Sequence, residues 1–480
     1  MGCGILTTYT EIANIAGIQG LMVYILSGSI PIFMFALVGP EIRKRCPKGF
    51  VFTEWVRQRF GIVAALYLSA FTILTMFLFM LGELTAIEWA IEALTGIDAT
   101  PCMVIECVVT TIYTCLGGFK VSFVTDTFQA IFVLVILIIG IIAYALNIDI
   151  DMDLKRETYD QLMGSNKLGW MLLYILPVAI ITNDCFMAGF WLRTFAAKTN
   201  KDLIVGTGIA SIVTGIICTL VGLPGILAVW TGDLVINDEN GYNAFFILIG
   251  KMDKWVIGVI LIFSVALSTC TFDSLQSATA SSISNDFCRN KLPLIYVRAI
   301  VAIIMVPAIV VAVKAATNVL QIYLIADLVS ASVIPIIFLG LSKKFNFLNG
   351  FDIIVGGLGA LVAVFIFGTI YYGSAEEGGK LLLVWNGLYS DEDWGAFGAF
   401  VIAPFGGILI GLISAGLRIG CYWSYCKIKK IEFKVENAGG FKIFNGDTSI
   451  STELSDDEDE DEYVEDVVPT ESGKKASISI

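Results

Sequence analysis

Two kinds of side-chain chemistry are missing from this chain. None of the 480 residues is histidine, which excludes a histidine proton relay and leaves carboxylates as the groups that can carry a proton near neutral pH. No two of the eleven cysteines have the C-x-x-C spacing of a metal site. Most of these cysteines lie inside apolar runs, where cysteine usually packs as a small apolar side chain.

Charge is also scarce, whereas apolar residues are abundant. Only 15% of the residues are charged, 57% are hydrophobic, and the mean hydropathy is +0.82. Apolar blocks of about 20 residues recur, and each is long enough to cross the ~30 Å hydrocarbon layer as a helix. The sequence therefore predicts an all-α, polytopic membrane protein. Membrane helices are predicted at residues 21–40, 61–94, 101–117, 121–147, 169–191, 203–230, 254–287, 295–315, 317–341, 352–373 and 396–424.

The negative charge is concentrated at the end of the chain. Of the net charge of −13, residues 451–480 contribute −9, from eleven acidic residues against Lys474 and Lys475. This composition is typical of a disordered segment. We therefore expect a transmembrane domain over residues 1–430 and a cytoplasmic, acidic, disordered tail over residues 431–480. Ser455 precedes the run DDEDEDE, a pattern that acid-directed kinases favour, and is a predicted phosphorylation site.

The loop charges predict the orientation in the membrane. Every second loop is rich in lysine and arginine, whereas the intervening loops are acidic or poor in basic residues. The positive-inside rule places the basic loops in the cytoplasm, so we expect a plasma-membrane protein with a cytoplasmic C-terminus. The basic loop residues are Arg43, Lys44, Arg45, Lys48, Arg57, Arg59, Lys120, Arg193, Lys198, Lys201, Arg289, Lys291, Lys343 and Lys344.

Several carboxylates interrupt the predicted membrane helices. An ionisable group inside a bilayer is costly, so it usually marks a functional site or is paired with another group. A structural role, such as capping a helix end or bonding a neighbouring helix, is the alternative for each of them. The candidates are Glu83, Glu88, Asp126, Asp184, Asp273 and Asp327.

The stretch ALSTCTFDSLQSATASSISNDF, residues 266–287, is unusually rich in hydroxyl groups for a membrane helix. Thr271, Ser274, Ala278 and Ser281 follow helical spacing, so small and hydroxyl side chains form one stripe. Small residues allow two helices to approach closely, which is one interpretation. Hydroxyl and carbonyl oxygens are also ligands that a hard cation such as Na⁺ prefers, which is the other.

Two further stretches carry polar residues at membrane depth. In CLGGFKVSFVTDTFQ, Gly117–Gly118 predicts a turn, and Asp126 follows about two helical turns into the next helix. In ILPVAIITNDCFMAGF, Pro177 and the segment Thr182-Asn183-Asp184 interrupt an apolar helix. Broken helices expose polar groups to a central cavity and commonly form substrate sites in transporters.

Together these stretches resemble the sodium:solute symporters, over about residues 1–345. GGFKVSFVTDTFQ resembles the segment that opens the fifth core helix, RTFAAKTNKD the segment that closes the sixth, and STCTFDSLQSATASSISND the ion segment of the eighth. GIQGLMVYILSG and EIRKRCPKGFVFTEWVRQRFG are similar to the urea active transporter branch. The resemblance implies a five-plus-five inverted-repeat core followed by two extra C-terminal helices.

The resemblance also implies an ion site. It places the family's ligand pair at Cys270 and Thr271, with a carbonyl donor at Leu267, and Na⁺ is expected at Thr271. Cys270 departs from the family's hydroxyl pattern, because a thiol is a poor ligand for Na⁺. An alternative register places the pair at Ser268 and Thr269.

Further site residues follow from the same resemblance. Asp126 matches the aspartate that helps the ion leave to the cytoplasm, and backbone carbonyls near Thr7 and Thr10 match those of the first broken helix. Asn183 falls at a substrate gate position, with Asp184 beside it as a second substrate-binding candidate. The inner half of the first broken helix and the helix before it have no counterpart, so we expect the core to be N-terminally incomplete.

These observations predict a secondary transporter and not an enzyme. We expect it to co-import a small polar solute, most plausibly urea, with Na⁺ or H⁺ as the coupling ion and without a cofactor. A symporter for a polyamine, proline or a sugar is the alternative within transport, and a membrane sensor or scaffold that does not transport is the alternative outside it. The expected partners are the solute, the cation and the lipid bilayer, and not a nucleic acid.

Overall fold

The computed structural model describes residues 2–46, 51–315, 318–385, 392–434, 438 and 442–446. Within these ranges, side chains are described except those of residues 117–128, 130–134, 136, 141, 144, 145, 294 and 315. The secondary structure of this described part is helical, without a strand, and nine of its helices are long and apolar enough to cross a membrane. The predicted all-α, multi-pass fold is confirmed.

The long helices follow the predicted apolar blocks, and short helices join them. The short helices α2, α5, α7, α10 and α15 were not predicted as separate elements, since none contains enough apolar residues to span a bilayer. The bounds are α1 Ile5–Arg45, α2 Phe52–Phe60, α3 Ile62–Thr95, α4 Thr100–Asn147, α5 Met152–Met163, α6 Lys167–Phe186, α7 Ala188–Ala196, α8 Asn200–Gly222, α9 Pro224–Trp230, α10 Ala244–Gly250, α11 Lys254–Ser282, α12 Leu294–Ala315, α13 Val319–Leu339, α14 Gly350–Tyr372, α15 Ala375–Leu382 and α16 Gly395–Lys429.

α1 is a helical hairpin and begins before the helix predicted at residues 21–40. Its backbone breaks at Gly17, which has φ 59° and ψ −156°, a conformation that glycine adopts most readily. A Cβ atom at this position would also collide with the carbonyl oxygen of Leu162. The rings of Tyr9 and Tyr24 stack at 4.0 Å across the break, so residues 5–16 and residues 18–45 run in opposite directions.

α4 is one helical element where the sequence predicted two, at residues 101–117 and 121–147. A straight helix of its 48 residues would be about 70 Å long, more than twice the hydrocarbon thickness. At the first residue of α4, Thr100 donates a hydrogen bond to Glu88 near the end of α3. Near the other end of α4, Gly140 packs against Ile260 near the start of α11. Tyr242, which precedes α10 and α11, packs on Trp89 of α3, so all these contacts lie at one face of the bundle. α4 therefore comprises two membrane passes.

The core lies where α1, α3, α6, α11 and α13 meet, with α4 against α11 and α8 against α1. α14 and α16 are the two additional C-terminal helices and pack on each other and on α13. Arg418, in the C-terminal part of α16, joins it to the start of α14. Its guanidinium contacts Asp352 at 2.7 Å and also donates to the carbonyl of Ala438. Of the predicted tail, residues 431–434, 438 and 442–446 are described, whereas residues 451–480, including Ser455, lie outside the described residues.

Candidate functional site

The polar face of α11 lies against α4 and forms a seam with it. Thr269 Oγ1 donates to Glu106 Oε1 at 3.1 Å, and Tyr113 OH donates to Asp273 Oδ2 at 2.9 Å. Gln276 Nε2 donates to Thr111 Oγ1 at 2.7 Å. We call these three pairs the α4–α11 seam. Thr269, Asp273 and Gln276 therefore make polar contacts between two helices, and none of these residues belongs to the predicted stripe of small and hydroxyl side chains.

Some polar groups of α11 are left over by this pairing. Thr271 Oγ1 and Ser277 Oγ are buried without a hydrogen-bond partner in the described part of the chain. Ser268 and Thr271 are three residues apart and lie on one side of the helix, close to the buried Leu267. Cys270 is half-buried one residue away. Each unpaired oxygen at membrane depth has a free-energy cost that a bound ligand would offset.

The start of α1 is held by a buried carboxylate of α3. Glu83 Oε2 accepts a hydrogen bond from the backbone N–H of Cys3 at 2.7 Å, and its Oε1 accepts one from Tyr323 OH at 2.9 Å. These contacts fix the first turn of α1 between α3 and α13. Glu83, which the sequence analysis singled out, thus has two identified partners.

The two carbonyls expected to bind an ion lie on the next turns of α1. Thr7 O accepts from the hydroxyl of Thr10 at 2.7 Å, and the same hydroxyl reaches Tyr242 O at 3.2 Å. Gly225 of α9 packs directly against Thr10 O. In this conformation the Thr10 carbonyl therefore faces Gly225 of α9, and the expected role of the two carbonyls stays a prediction.

A second polar centre lies between α6 and α13, close to α1, and consists of Asp184 and Asp327, which we call the central cluster. Asp327 is 5% exposed, and its Oδ1 has no hydrogen-bond partner among the described residues. Asp184 lies close enough for the two carboxylates to repel each other. Glu11 accepts from Asn318 Nδ2 at 2.8 Å. Asn183 Oδ1, beside Asp184, is also buried and unpaired within the described part.

Two tyrosines form an aromatic wall beside the central cluster. The stacked rings of Tyr9 and Tyr24 have an interplanar angle of only 5°. Tyr9 lies within electrostatic range of Asp184, and Tyr24 within range of Asp327 and Glu11. None of the ion pairs found in the described residues joins the cluster to a lysine or arginine. The centre therefore combines negative charge with aromatic faces.

The C-terminal end of α11 is held by a third network. Asp286 is buried and accepts from Thr53 Oγ1 at 2.8 Å and from Ser69 Oγ at 2.6 Å. Arg57 donates to the carbonyl of Asp286 at 3.1 Å. One carboxylate thus joins α2, α3 and the segment that follows α11.

Comparison with known proteins identifies the architecture. The profile of the sodium:solute symporter family matches residues 12–350. The chain belongs to the sodium:solute symporter family. A solved Na⁺-coupled sialic acid symporter, in a substrate-bound outward-open state, has the same fold with a TM-score of 0.65 and 17% sequence identity, over 87% of each chain. The family and its relatives are secondary transporters, not enzymes, so this symporter is a multi-pass transport protein.

Individual relatives of the symporter differ in the solute that they are named for. The spermidine transporter DUR31 of Candida albicans is 62% identical over 434 residues, covering 90% of this chain and 83% of that protein. The probable urea active transporter 1 of Schizosaccharomyces pombe is 30% identical over 122 residues, which cover 25% of this chain and 18% of that protein. The urea-proton symporter DUR3 of Oryza sativa is 25% identical over 33% of this chain and 22% of that protein.

The structure adds two carboxylates to those that the sequence analysis selected. Glu106 lies in the run PCMVIECVVTT, where a single acid inside an apolar block was a visible signal. Glu11 lies in residues 1–20, which were not predicted as a membrane helix. Asp126 lies on α4, but its side chain is outside the described residues, so its expected role stays a prediction.

Proposed function

We propose that this symporter imports an organic polycation of the polyamine class, such as spermidine, together with a coupling cation across the plasma membrane, with its C-terminus in the cytoplasm. The observation that carries this proposal is the central cluster, in which Asp184 and Asp327 lie near a tyrosine pair and no ion pair found in the described residues joins either aspartate to a lysine or arginine. The spermidine transporter that matches 90% of the chain supports the same solute class.

Charge favours a polyamine over urea. Buried carboxylates without counter-charges are strongly unfavourable at membrane depth, and a solute with several ammonium groups would neutralise them. Its ammonium and methylene groups also suit the faces of Tyr9 and Tyr24, because cations bind aromatic faces. Urea is neutral and would not offset the charge of the two carboxylates.

The α4–α11 seam, the central cluster and the contacts of Asp286 would have different roles in alternating access. The central cluster would hold the solute between α1, α6 and α13, while the contacts of Asp286 with Thr53 and Ser69 keep the cytoplasmic side closed. Release to the cytoplasm then requires these contacts to break. The family's reciprocal motion of two repeats about a central site supports this cycle.

Uptake measurements test the solute class directly. Cells that lack their own polyamine and urea uptake would express the chain and receive labelled spermidine or labelled urea. We expect saturable spermidine uptake that excess unlabelled spermidine blocks and excess urea does not. Saturable urea uptake that spermidine does not inhibit would contradict the proposal and favour the urea branch. Glu92→Gln, at an exposed position near the end of α3, is the matched control for carboxylate substitutions.

A further inference from the structure

A short stretch of chain that follows α16 packs back onto the bundle. Residues 442–446, which we call the return segment, lie against the turn between α2 and α3. Gly61 forms this turn with φ 89°, and a Cβ atom there would come within 2.6 Å of the carbonyl oxygen of Ile443. A Cβ atom on Gly446 would collide with the carbonyl oxygen of Gln58. Glycine at both positions therefore permits the two backbones to approach closely.

The return segment and the residue before it are also attached to the C-terminal helices. The ring of Phe444 meets that of Phe351, at the start of α14, edge to face, with centroids 5.8 Å apart. Ala438 is 2% exposed, and its carbonyl accepts a hydrogen bond from Arg418 of α16, which also pairs with Asp352 of α14. One stretch of chain thus connects the α2–α3 turn to α14 and α16.

The return segment contacts the same helix that holds Asp286. Thr53 and Arg57 of α2 both donate to Asp286, and Gln58, which the return segment touches, directly follows Arg57. In the transport cycle proposed above, the contacts of Asp286 break when the solute is released. If α2 then moves away from α14 and α16, the return segment must detach either from α2 or from these two helices.

We infer that the return segment is an autoinhibitory contact, which holds α2 beside α14 and α16 and so favours the conformation in which the contacts of Asp286 are intact. The inference rests on the proposed alternating access. Contacts that exist in only one of two conformations shift the population toward that conformation. Weakening the return segment should therefore accelerate transport, whereas weakening a segment that is needed only for folding would lower both stability and uptake.

Hydrogen–deuterium exchange of the purified full chain tests the contact in the absence of solute, because amide exchange reports local opening. Phe444→Ala removes the ring that packs on Phe351. We expect the amides of α2, residues 52–60, to exchange roughly two- to tenfold faster, the range that an edge-to-face aromatic contact implies. Ile443→Ala is the matched control, since this neighbouring side chain is 52% exposed, and it should leave the exchange of α2 unchanged.

Two truncations separate the return segment from the acidic residues that follow it. A chain that ends at Gly446 keeps the segment, and its α2 exchange should equal that of the full chain. A chain that ends at Lys434 lacks the segment and should show the faster exchange. In cells, Phe444→Ala and the chain ending at Lys434 should also have a higher maximal rate of spermidine uptake per transporter at the surface. If the chain ending at Lys434 does not fold, Phe444→Ala carries the test.

Four results would overturn the inference. These are unchanged α2 exchange in Phe444→Ala, an equal increase in Ile443→Ala, an increase in the chain that ends at Gly446, and faster exchange that is accompanied by unchanged or lower uptake. A complete absence of spermidine uptake in the unaltered protein would instead contradict the proposed solute. The exchange comparison contains no solute, so it would still decide whether the return segment holds α2.

Discussion

Along the α4–α11 seam, hydroxyl, amide and carboxyl groups form donor–acceptor pairs, whereas in the central cluster two carboxylates lie close enough to repel each other. Asp273 of the seam is fully buried and accepts from Tyr113. Asp327 of the cluster is almost as buried, yet one of its oxygens has no described partner and its neighbour Asp184 repels it. Burial alone therefore does not distinguish Asp273 from Asp327, but the hydrogen bonds of their carboxylates do.

This difference separates residues that stabilise from residues that bind. A paired polar group contributes about 1 kcal/mol to stability, and removing its partner costs more because the remaining group stays unsatisfied. An unpaired buried charge costs free energy in the folded protein and regains it only when a ligand binds. We therefore expect substitutions in the seam to lower stability, and substitutions in the cluster to lower solute affinity.

The largest loss of uptake is expected at Gly17, because the α1 hairpin that lies beside the central cluster depends on this residue. Gly17→Val places a β-branched residue at φ 59° and drives its side chain into the carbonyl of Leu162. The hairpin of α1 would then open and separate Tyr9 from Tyr24. We expect spermidine uptake to fall to background, while Gly258→Ala, at an open position without a positive φ, retains it. Normal uptake by Gly17→Val would show that the α1 hairpin is not needed to assemble the site.

Asp327→Asn should have the next largest effect and separates affinity from stability. A buried charge contact between protein and ligand is worth about 2–5 kcal/mol, so the half-saturating spermidine concentration should rise at least about thirtyfold. The melting temperature should stay the same or rise, because the substitution removes an unpaired carboxylate. A large fall in melting temperature with unchanged spermidine affinity would place Asp327 with the seam residues instead.

The fold could be predicted from the sequence further than the site could. Apolar block length sets the membrane passes, so the spans near residues 295–315, 317–341 and 352–373 agree closely with α12, α13 and α14. The break at Gly17 was missed, since a single glycine in an apolar run does not reveal a reversal of the chain. Which hydroxyls of α11 are paired depends on the rotation of α4 against it, and periodicity does not determine that rotation.

The sequence identified several carboxylates of the site, but it did not show which of them have hydrogen-bond partners. Asp184 and Asp327 were selected because acids are rare in membrane helices, and the structure brings them together. Glu83 and Asp273 were selected for the same reason, and each has an identified partner. The two sets look alike in sequence, because hydrogen-bond satisfaction arises only from contacts between helices that are distant in the chain.

Tyr113→Phe tests whether the seam contributes to stability and not to solute binding, and its effect should be intermediate in size. The substitution keeps the ring and removes the hydroxyl that donates to Asp273, which leaves a carboxylate oxygen without this donor. We expect a loss of about 1–3 kcal/mol of stability, seen as a lower melting temperature. The half-saturating spermidine concentration of the protein that reaches the cell surface should not change. A raised half-saturating concentration would show that the seam also shapes the solute site.

The smallest effect is expected at the aromatic wall, where Tyr24→Phe and Tyr24→Leu form a matched pair. Phe keeps the stacked face beside Tyr9, so its half-saturating spermidine concentration should stay within about twofold of the original. Leu keeps apolar bulk but removes the aromatic face, and a cation–π contact worth about 0.5–2 kcal/mol predicts a rise of roughly two- to thirtyfold. Because the two variants differ mainly in aromaticity, equal affinities would exclude a cation–π contribution from Tyr24. The comparison would then rest on the carboxylates alone, and the tyrosine pair would serve only to join the two halves of α1.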